Sequence, residues 1–152
     1  MLHPAPTTPM PAETVRATLR EIIPATATRP AFLVLEVFNS DYLLHLEPAG
    51  GAIPDAAEGK LGKTVTGKAR ATAKRIDKVG SGGKYLEPVR GRPRRVQGRV
   101  VAVNASANTI TVNAGVPIVC KVSAPGQKAG DFEVTDFVSF DVLRGATFEM
   151  DA

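Results

Sequence analysis

Glycine, proline and other turn-forming residues divide this chain into short apolar runs, and few of the stretches between them could form a long helix. The 152 residues include 12 Pro and 14 Gly. The runs themselves are rich in Val and Thr, which favour strands. We expect about eight or nine short strands joined by turns, a pattern typical of a small closed barrel. The predicted fold class is therefore all-β.

The length of the chain is that of one ordinary domain. Residues 1–11 carry four prolines, which disfavour both helix and ladder, so we predict a disordered tail there. Residues 12–152 are predicted to form a single β-barrel domain.

Several runs predict strands through local turn chemistry. The runs at 31–38 and 42–47 are separated by Asn39, Ser40 and Asp41, which predicts a tight hairpin. In the C-terminal third, further strands are predicted at 96–103, 109–113, 116–122 and 137–143.

One N-terminal stretch, residues 12–23, has apolar residues at helical spacing. The apolar face would hold Val15, Leu19, Ile22 and Ile23. This spacing predicts a short helix ended by Pro24. Such a helix would either cap one end of the barrel or dock a partner.

Residues 64–79 fit two structures. As a strand, the stretch places small apolar residues on one face and a basic stripe of Lys68, Arg70 and Lys74 on the other. As a helix, Val65 would align with Ala69, Ala73 and Ile76. We favour the strand, because residues 64–67 (Thr-Val-Thr-Gly) begin a helix poorly.

A short internal similarity links residues 65–71 with residues 96–102. Both segments follow the pattern Val-x-Gly-basic-small. The similarity indicates either a duplicated strand or a coincidence, and seven residues do not decide between them.

The clearest functional signal is the segregation of charge. Thirteen of the 19 Lys and Arg lie between residues 60 and 99 with only two acids, a net charge of +11; the remaining six basic and thirteen acidic residues leave −7. A segregated positive field of this kind is typical of a polyanion-binding surface. The bland alternative is a solvated surface whose bases pair with the protein's own carboxylates.

Residues 98–103, 108–112 and 134–140 look like the first, second and late strands of a barrel. From residue 97 to 150 the pattern resembles an OB-fold barrel of the ribosomal-protein and cold-shock kind, with Thr135 standing where that family has a Gly. The resemblance implies binding of single strands by stacking bases on aromatic residues of the second and third strands. Those two runs hold Ile110 and Val119 but no aromatic residue, so we expect contacts through phosphates and Arg side chains.

Residues 90–93 read Arg-Gly-Arg-Pro, which matches the core of an AT-hook. That resemblance implies insertion of Arg90 and Arg92 into the minor groove of A·T-rich DNA, because Gly lets the backbone lie deep and Pro keeps it extended. Arg94, Arg95 and Arg99 would then contact flanking phosphates.

We therefore expect a non-catalytic protein that binds nucleic acid, DNA or RNA, largely through phosphates and without sequence specificity. The alternative is a protein-interaction or self-assembly module in which the basic window pairs with acidic surfaces. The predicted nucleic-acid-binding residues are Lys68, Arg70, Lys74, Arg75, Arg90, Arg92, Arg94, Arg95 and Arg99.

The sequence offers little for an enzyme, a metal or a cofactor, and we predict none of them. His3 lies in the predicted tail, and His45 alternates with apolar neighbours as a structural strand residue. Cys120 is the single cysteine and reads as a small core residue. The absence of a long apolar run, a signal-like N-terminus and a disulfide pair favours a cytoplasmic protein that does not bind membranes.

Overall fold

The computed structural model describes residues 12–152, and the predicted tail lies outside the described residues. The described chain is all-β, which confirms the predicted fold class. Its helical elements are two 3₁₀ turns, Glu58–Lys60 and Ala129–Asp131. The strands of residues 12–152 are β1 (Thr14–Ile23), β2 (Phe32–Val37), β3 (Leu43–Pro48), β4 (Thr64–Ala73), β5 (Asp77–Lys78), β6 (Tyr85–Glu87), β7 (Arg90–Gly91), β8 (Arg95–Asn104), β9 (Thr109–Asn113), β10 (Pro117–Val122), β11 (Phe137–Asp141) and β12 (Thr147–Met150).

Five of these strands close into a barrel, the first ring. β1 pairs with β2 and β2 with β3, both antiparallel; β3 then runs parallel to β12. β12 is antiparallel to β4, and β4 returns to β1 and closes the ring. The closed barrel expected from the sequence is therefore present, although its strands come from both ends of the chain.

β4 confirms the strand interpretation of residues 64–73. Its side chains alternate between a buried face of small residues and a more exposed polar face, as a strand requires. The buried face consists of Val65, Gly67, Ala69, Ala71 and Ala73.

The predicted helix at residues 12–23 was wrong, because these residues form β1. Val15, Ala17 and Leu19 are all at most 1% exposed and alternate with polar residues, so the first half has the period of a strand. A bulge between Leu19 and Glu21 then shifts the register by one residue. The shift gave the apolar residues a spacing that imitates a helix.

A second ring forms from the middle of the chain and the C-terminal half of β4. β8, β9 and β10 are an antiparallel meander, and β10 runs parallel to residues 69–73 of β4. β11 pairs with β8 on the other side. A bridge between Ala73 and Val142 joins the end of β11 back to β4 and closes this ring. The predicted hairpin at 31–47 and the strands near 96–122 and 137–141 are confirmed.

The two rings repeat the same pairing register. In each ring the first strand carries a bulge and pairs with the second strand on both sides of it, and the second strand pairs with the third. The equivalent rows of paired residues are Leu19, Leu35 and Leu44 in the first ring and Val100, Val112 and Ile118 in the second. The third strand is parallel to the fifth in both rings. The described chain thus contains two copies of the same strand arrangement.

The loops before the fourth strands repeat as well. Gly62 has φ 77° and donates its N–H to the carbonyl of Leu19 at 2.7 Å. Thr135 has φ 83° and donates to the carbonyl of Val100 at 2.8 Å. Thr135 therefore occupies a left-handed backbone position that favours Gly.

The rings exchange their fifth strands. β4 supplies the fourth strand of the first ring with its N-terminal half and the fifth strand of the second ring with its C-terminal half. In return the chain leaves β11, the fourth strand of the second ring, and continues into β12, the fifth strand of the first. A single hydrophobic cluster holds residues of both rings, from Leu19 and Phe148 to Val100 and Phe140.

Candidate nucleic-acid interface

Four of the nine predicted binding residues pair with carboxylates of this chain, so part of the predicted positive charge is neutralised within the protein. In all four pairs both side chains are at least 35% exposed, so each pair contributes only about 0–1 kcal/mol of stability. The pairs are Lys68–Glu13 at 2.9 Å, Arg70–Glu149 at 3.3 Å, Arg75–Asp77 at 3.3 Å and Arg95–Asp141 at 2.8 Å.

Arg95 joins β8 to β11. Its guanidinium donates to Asp141 at 2.8 Å and to the Ser139 hydroxyl at 2.7 Å. The hydrogen bond to Asp141, with a further contribution from Tyr85, raises the pKa of Arg95 above its ordinary value. Arg95 is thus a structural cation between two strands of the second ring.

Arg99 is also held by its own fold. Its guanidinium donates to the backbone carbonyl of Thr135 at 2.9 Å and lies 5.4 Å from the centre of the Phe137 ring. Asp136, the next residue, accepts the backbone N–H of Glu133, and this bond lowers its pKa, with a smaller contribution from Lys78 at 3.4 Å. The polar side chains around Arg99 are thus held in place by hydrogen bonds within the second ring.

The other four predicted residues, Lys74, Arg90, Arg92 and Arg94, have no carboxylate within ion-pair distance among residues 12–152. The three arginines lie on the segment that follows β6 and runs alongside the first ring. They line a cleft of about 300 Å³ together with Arg144, which precedes β12. We call Arg90, Arg92, Arg94 and Arg144 the arginine groove.

The floor of the arginine groove is the outer face of β2 and β3. Phe32 and His45 lie on this face with ring centres 6.2 Å apart, and the Arg92 guanidinium lies 4.5 Å from the centre of the Phe32 ring. Among the described residues, Glu47 is the one carboxylate that lines the cleft. Four arginines against one acid leave the groove strongly positive.

The groove continues beyond Arg94 and Arg144. A second, wider cleft of about 800 Å³ shares both residues and extends to Lys74, and the acids Glu87 and Asp141 also line it. Lys74, which the sequence placed in a stripe with Lys68 and Arg70, thus lies beside the arginine groove.

The segment with the AT-hook pattern is part of the sheet. Arg90 and Gly91 form β7 and pair in parallel with Leu43 and Leu44 of β3, while Pro93 is buried. Gly91 has φ 118°, which explains why a Gly is needed here. One edge of this backbone is occupied by the first ring.

Three residues of the site were not singled out from the sequence. Arg144 lies outside the basic window, and no local motif marks it. Phe32 and His45 were assigned to a hairpin, and His45 was considered structural. They could have been found only by identifying that hairpin as the second and third strands of a barrel, the face on which aromatic residues were sought elsewhere in the chain.

No family model matches this chain, and no curated protein or solved structure matches it either. In the described part of the chain, no helix has the length and apolar character needed to cross a membrane. Within residues 12–152, no group of three or more His, Cys, Asp or Glu side chains is arranged to hold a metal ion.

Proposed function

We propose that this protein binds single-stranded nucleic acid, without catalysis, in the arginine groove. The observation that carries the proposal is the position of four arginines over the outer face of β2 and β3, none of them paired with a carboxylate among residues 12–152. Binding through this groove is directed mainly at phosphates and tolerates any base sequence.

The barrel architecture supports this choice of face. The first ring has five strands in the order β1-β2-β3-β12-β4, with the third and fifth parallel. We interpret it as an OB-type barrel, and in that class the face of the second and third strands binds oligonucleotides. The second ring, where the sequence resemblance lay, has the same order.

The side chains of the groove suit a flexible single strand. Arginine matches the geometry of a phosphate with two parallel N–H donors. Arg92 lies 4.5 Å from the centre of the Phe32 ring and is partly exposed, and an exposed guanidinium plane is a surface on which a base can stack. The groove therefore combines phosphate contacts with a stacking surface that does not depend on base identity.

We prefer this groove to a minor-groove hook. Hook binding places an extended backbone deep in the duplex, whereas Arg90 and Gly91 are hydrogen-bonded into the sheet beside β3. Duplex DNA rich in A·T should then bind no better than other duplexes.

Fluorescence anisotropy tests the proposal. Labelled oligo(dT), oligo(U) and a duplex are titrated with the protein at low salt, and the measurement is repeated at several salt concentrations. Four phosphate contacts on a single strand give a log–log salt slope near about −3, from about −0.7 per contact. Replacing Arg92 and Arg94 by Ala should bring the slope to about half that value and weaken binding equally for all sequences.

Arg75→Ala is the matched control, because Arg75 is exposed, paired with Asp77 and outside the groove. It removes one positive charge, where the groove variant removes two, and should leave binding unchanged. The proposal is refuted if the protein binds none of the three probes, or if the Arg75 variant and the groove variant lose equal affinity. Self-association that disappears with salt, without nucleic-acid binding, would instead support the assembly alternative.

A further inference from the structure

The second ring has a face equivalent to the floor of the arginine groove. The outer face of β9 and β10 corresponds, by the repeated register, to that of β2 and β3. Thr109 takes the position of Phe32, Val119 that of His45 and Lys121 that of Glu47. A basic residue thus replaces the one acid of the arginine groove.

A cleft of about 320 Å³ lies on this equivalent face. Hydroxyl groups of Thr72, Thr109 and Thr147 line it, together with the cations Arg70 and Lys121. Lys121 is exposed and has no carboxylate within ion-pair distance in residues 12–152. Arg70 is paired with Glu149 at 3.3 Å, but 45% of its side-chain surface remains accessible. The cleft offers cations and hydroxyls, both of which bind phosphate oxygens.

The two clefts meet at Gly145. This residue lines both the arginine groove and the cleft of the second ring. It has φ 98°, a conformation that L side chains rarely adopt, so a Gly is favoured at the point where the clefts join. The atom nearest to where a Cβ would lie is the Glu47 Oε2, at 3.8 Å. Gly145 therefore places no side chain between the two clefts.

We infer that one nucleic-acid strand occupies both clefts, running from the arginine groove across Gly145 onto β9 and β10, where Lys121 and Arg70 bind its phosphates. This inference rests on the proposed function and extends it to a second binding site on the same molecule. The footprint of the protein is then that of two barrels rather than one. One OB-type barrel covers roughly 4–16 nucleotides.

The test is a length series of labelled oligo(dT), measured by anisotropy with wild type and with Lys121→Glu. Wild-type affinity should continue to rise beyond the length that saturates a single barrel, and its salt slope should steepen by about 1.4 as two further contacts form, at about 0.7 each. In Lys121→Glu the short oligonucleotides should bind as in wild type, while the gain with length is lost.

Lys63→Glu is the control, since Lys63 is exposed and lines neither cleft. Circular dichroism establishes that both variants are folded. If wild type binds but its affinity does not increase with length, or if the two variants behave alike, the second site is refuted and the proposed function stands. If wild type binds no oligonucleotide of any length, the proposed function itself fails, and the second site with it.

Discussion

Replacing Gly67 by Ala should open the first ring. Gly67 lies on β4, where β12 crosses very close to its backbone. A Cβ at this position would lie 2.2 Å from the carbonyl oxygen of Glu149 and 2.7 Å from the Phe148 ring. Ordinary contact begins near 3.4 Å. The added methyl group therefore requires β12 to move away from β4 by about 1.2 Å, the difference between these two distances.

Such a displacement has two costs. Overpacking a tight site costs about 1–3 kcal/mol. The hydrogen bond from the Asp151 N–H to the Thr66 carbonyl, 2.8 Å long and next to Gly67, would be lost, at about 1 kcal/mol for each bond of this kind. We expect a loss of about 2–4 kcal/mol in the free energy of unfolding, a large part of the 5–15 kcal/mol typical of a domain.

Urea unfolding followed by far-ultraviolet circular dichroism measures this loss, because the chain has no Trp for fluorescence. Gly59→Ala is the control: Gly59 has open space around its Cβ position and no positive φ, so Ala there should be neutral or stabilise by up to about 1 kcal/mol. Equal stability of the Gly67 and Gly59 variants would show that β12 does not lie against β4.

Three further predictions concern single side chains. The pKa of Asp136 is lower in the folded than in the unfolded state, so its carboxylate stabilises the fold above the unfolded pKa of about 3.9. This stabilisation is lost as the pH falls through the folded pKa. Asp136→Asn should therefore show a smaller drop in Tm on acidification than wild type. Burial raises the pKa of the Cys120 thiol, so a thiol reagent should modify it only at the rate of unfolding, and rapid labelling of the native protein would contradict its burial. The Tyr42 hydroxyl accepts the Leu86 N–H at 2.9 Å and donates to the Ala114 carbonyl at 2.9 Å; Tyr42→Phe should cost about 1–3 kcal/mol in urea unfolding, and an unchanged midpoint would exclude this link between the rings.

Strands and hairpins of this fold were predictable because their signals are local. Alternation of buried and exposed residues along β4, and the Asn-Ser-Asp turn between β2 and β3, follow from short-range chemistry. The same local logic failed at β1, where one bulged residue changed the apparent period. A pattern of apolar residues reports which side chains are buried, but a bulge alters the spacing without altering the burial.

Ring closure was not predictable, because it depends on pairings between distant parts of the chain. Nothing in β3 indicates that its parallel partner is β12, at the opposite end of the described residues. The similarity between residues 65–71 and 96–102 does not mark equivalent strands of the two rings. Gly67 and Gly98 each face a neighbouring backbone oxygen at close range, yet Gly67 is on the fourth strand of its ring and Gly98 on the first.

The charge pattern identified only part of the candidate site. Arg90, Arg92 and Arg94 were identified because they are dense in the sequence, and they line one groove. Lys68 and Arg70 belong to the same window, but Glu13, just before β1, and Glu149 of β12 lie beside them. Whether a base is neutralised depends on which distant carboxylate the fold brings near, and net charge along the chain does not report this.

The exchange of fifth strands interlocks the two halves of the molecule. Neither half of the chain contains all five strands of its own barrel. The N-terminal half needs β12, and the C-terminal half needs the end of β4. Cutting the chain between β4 and β8 would leave each fragment with an open barrel. Both barrels would close only when the two fragments reassociate. Loss of the last few residues would likewise damage the barrel built by the beginning of the chain.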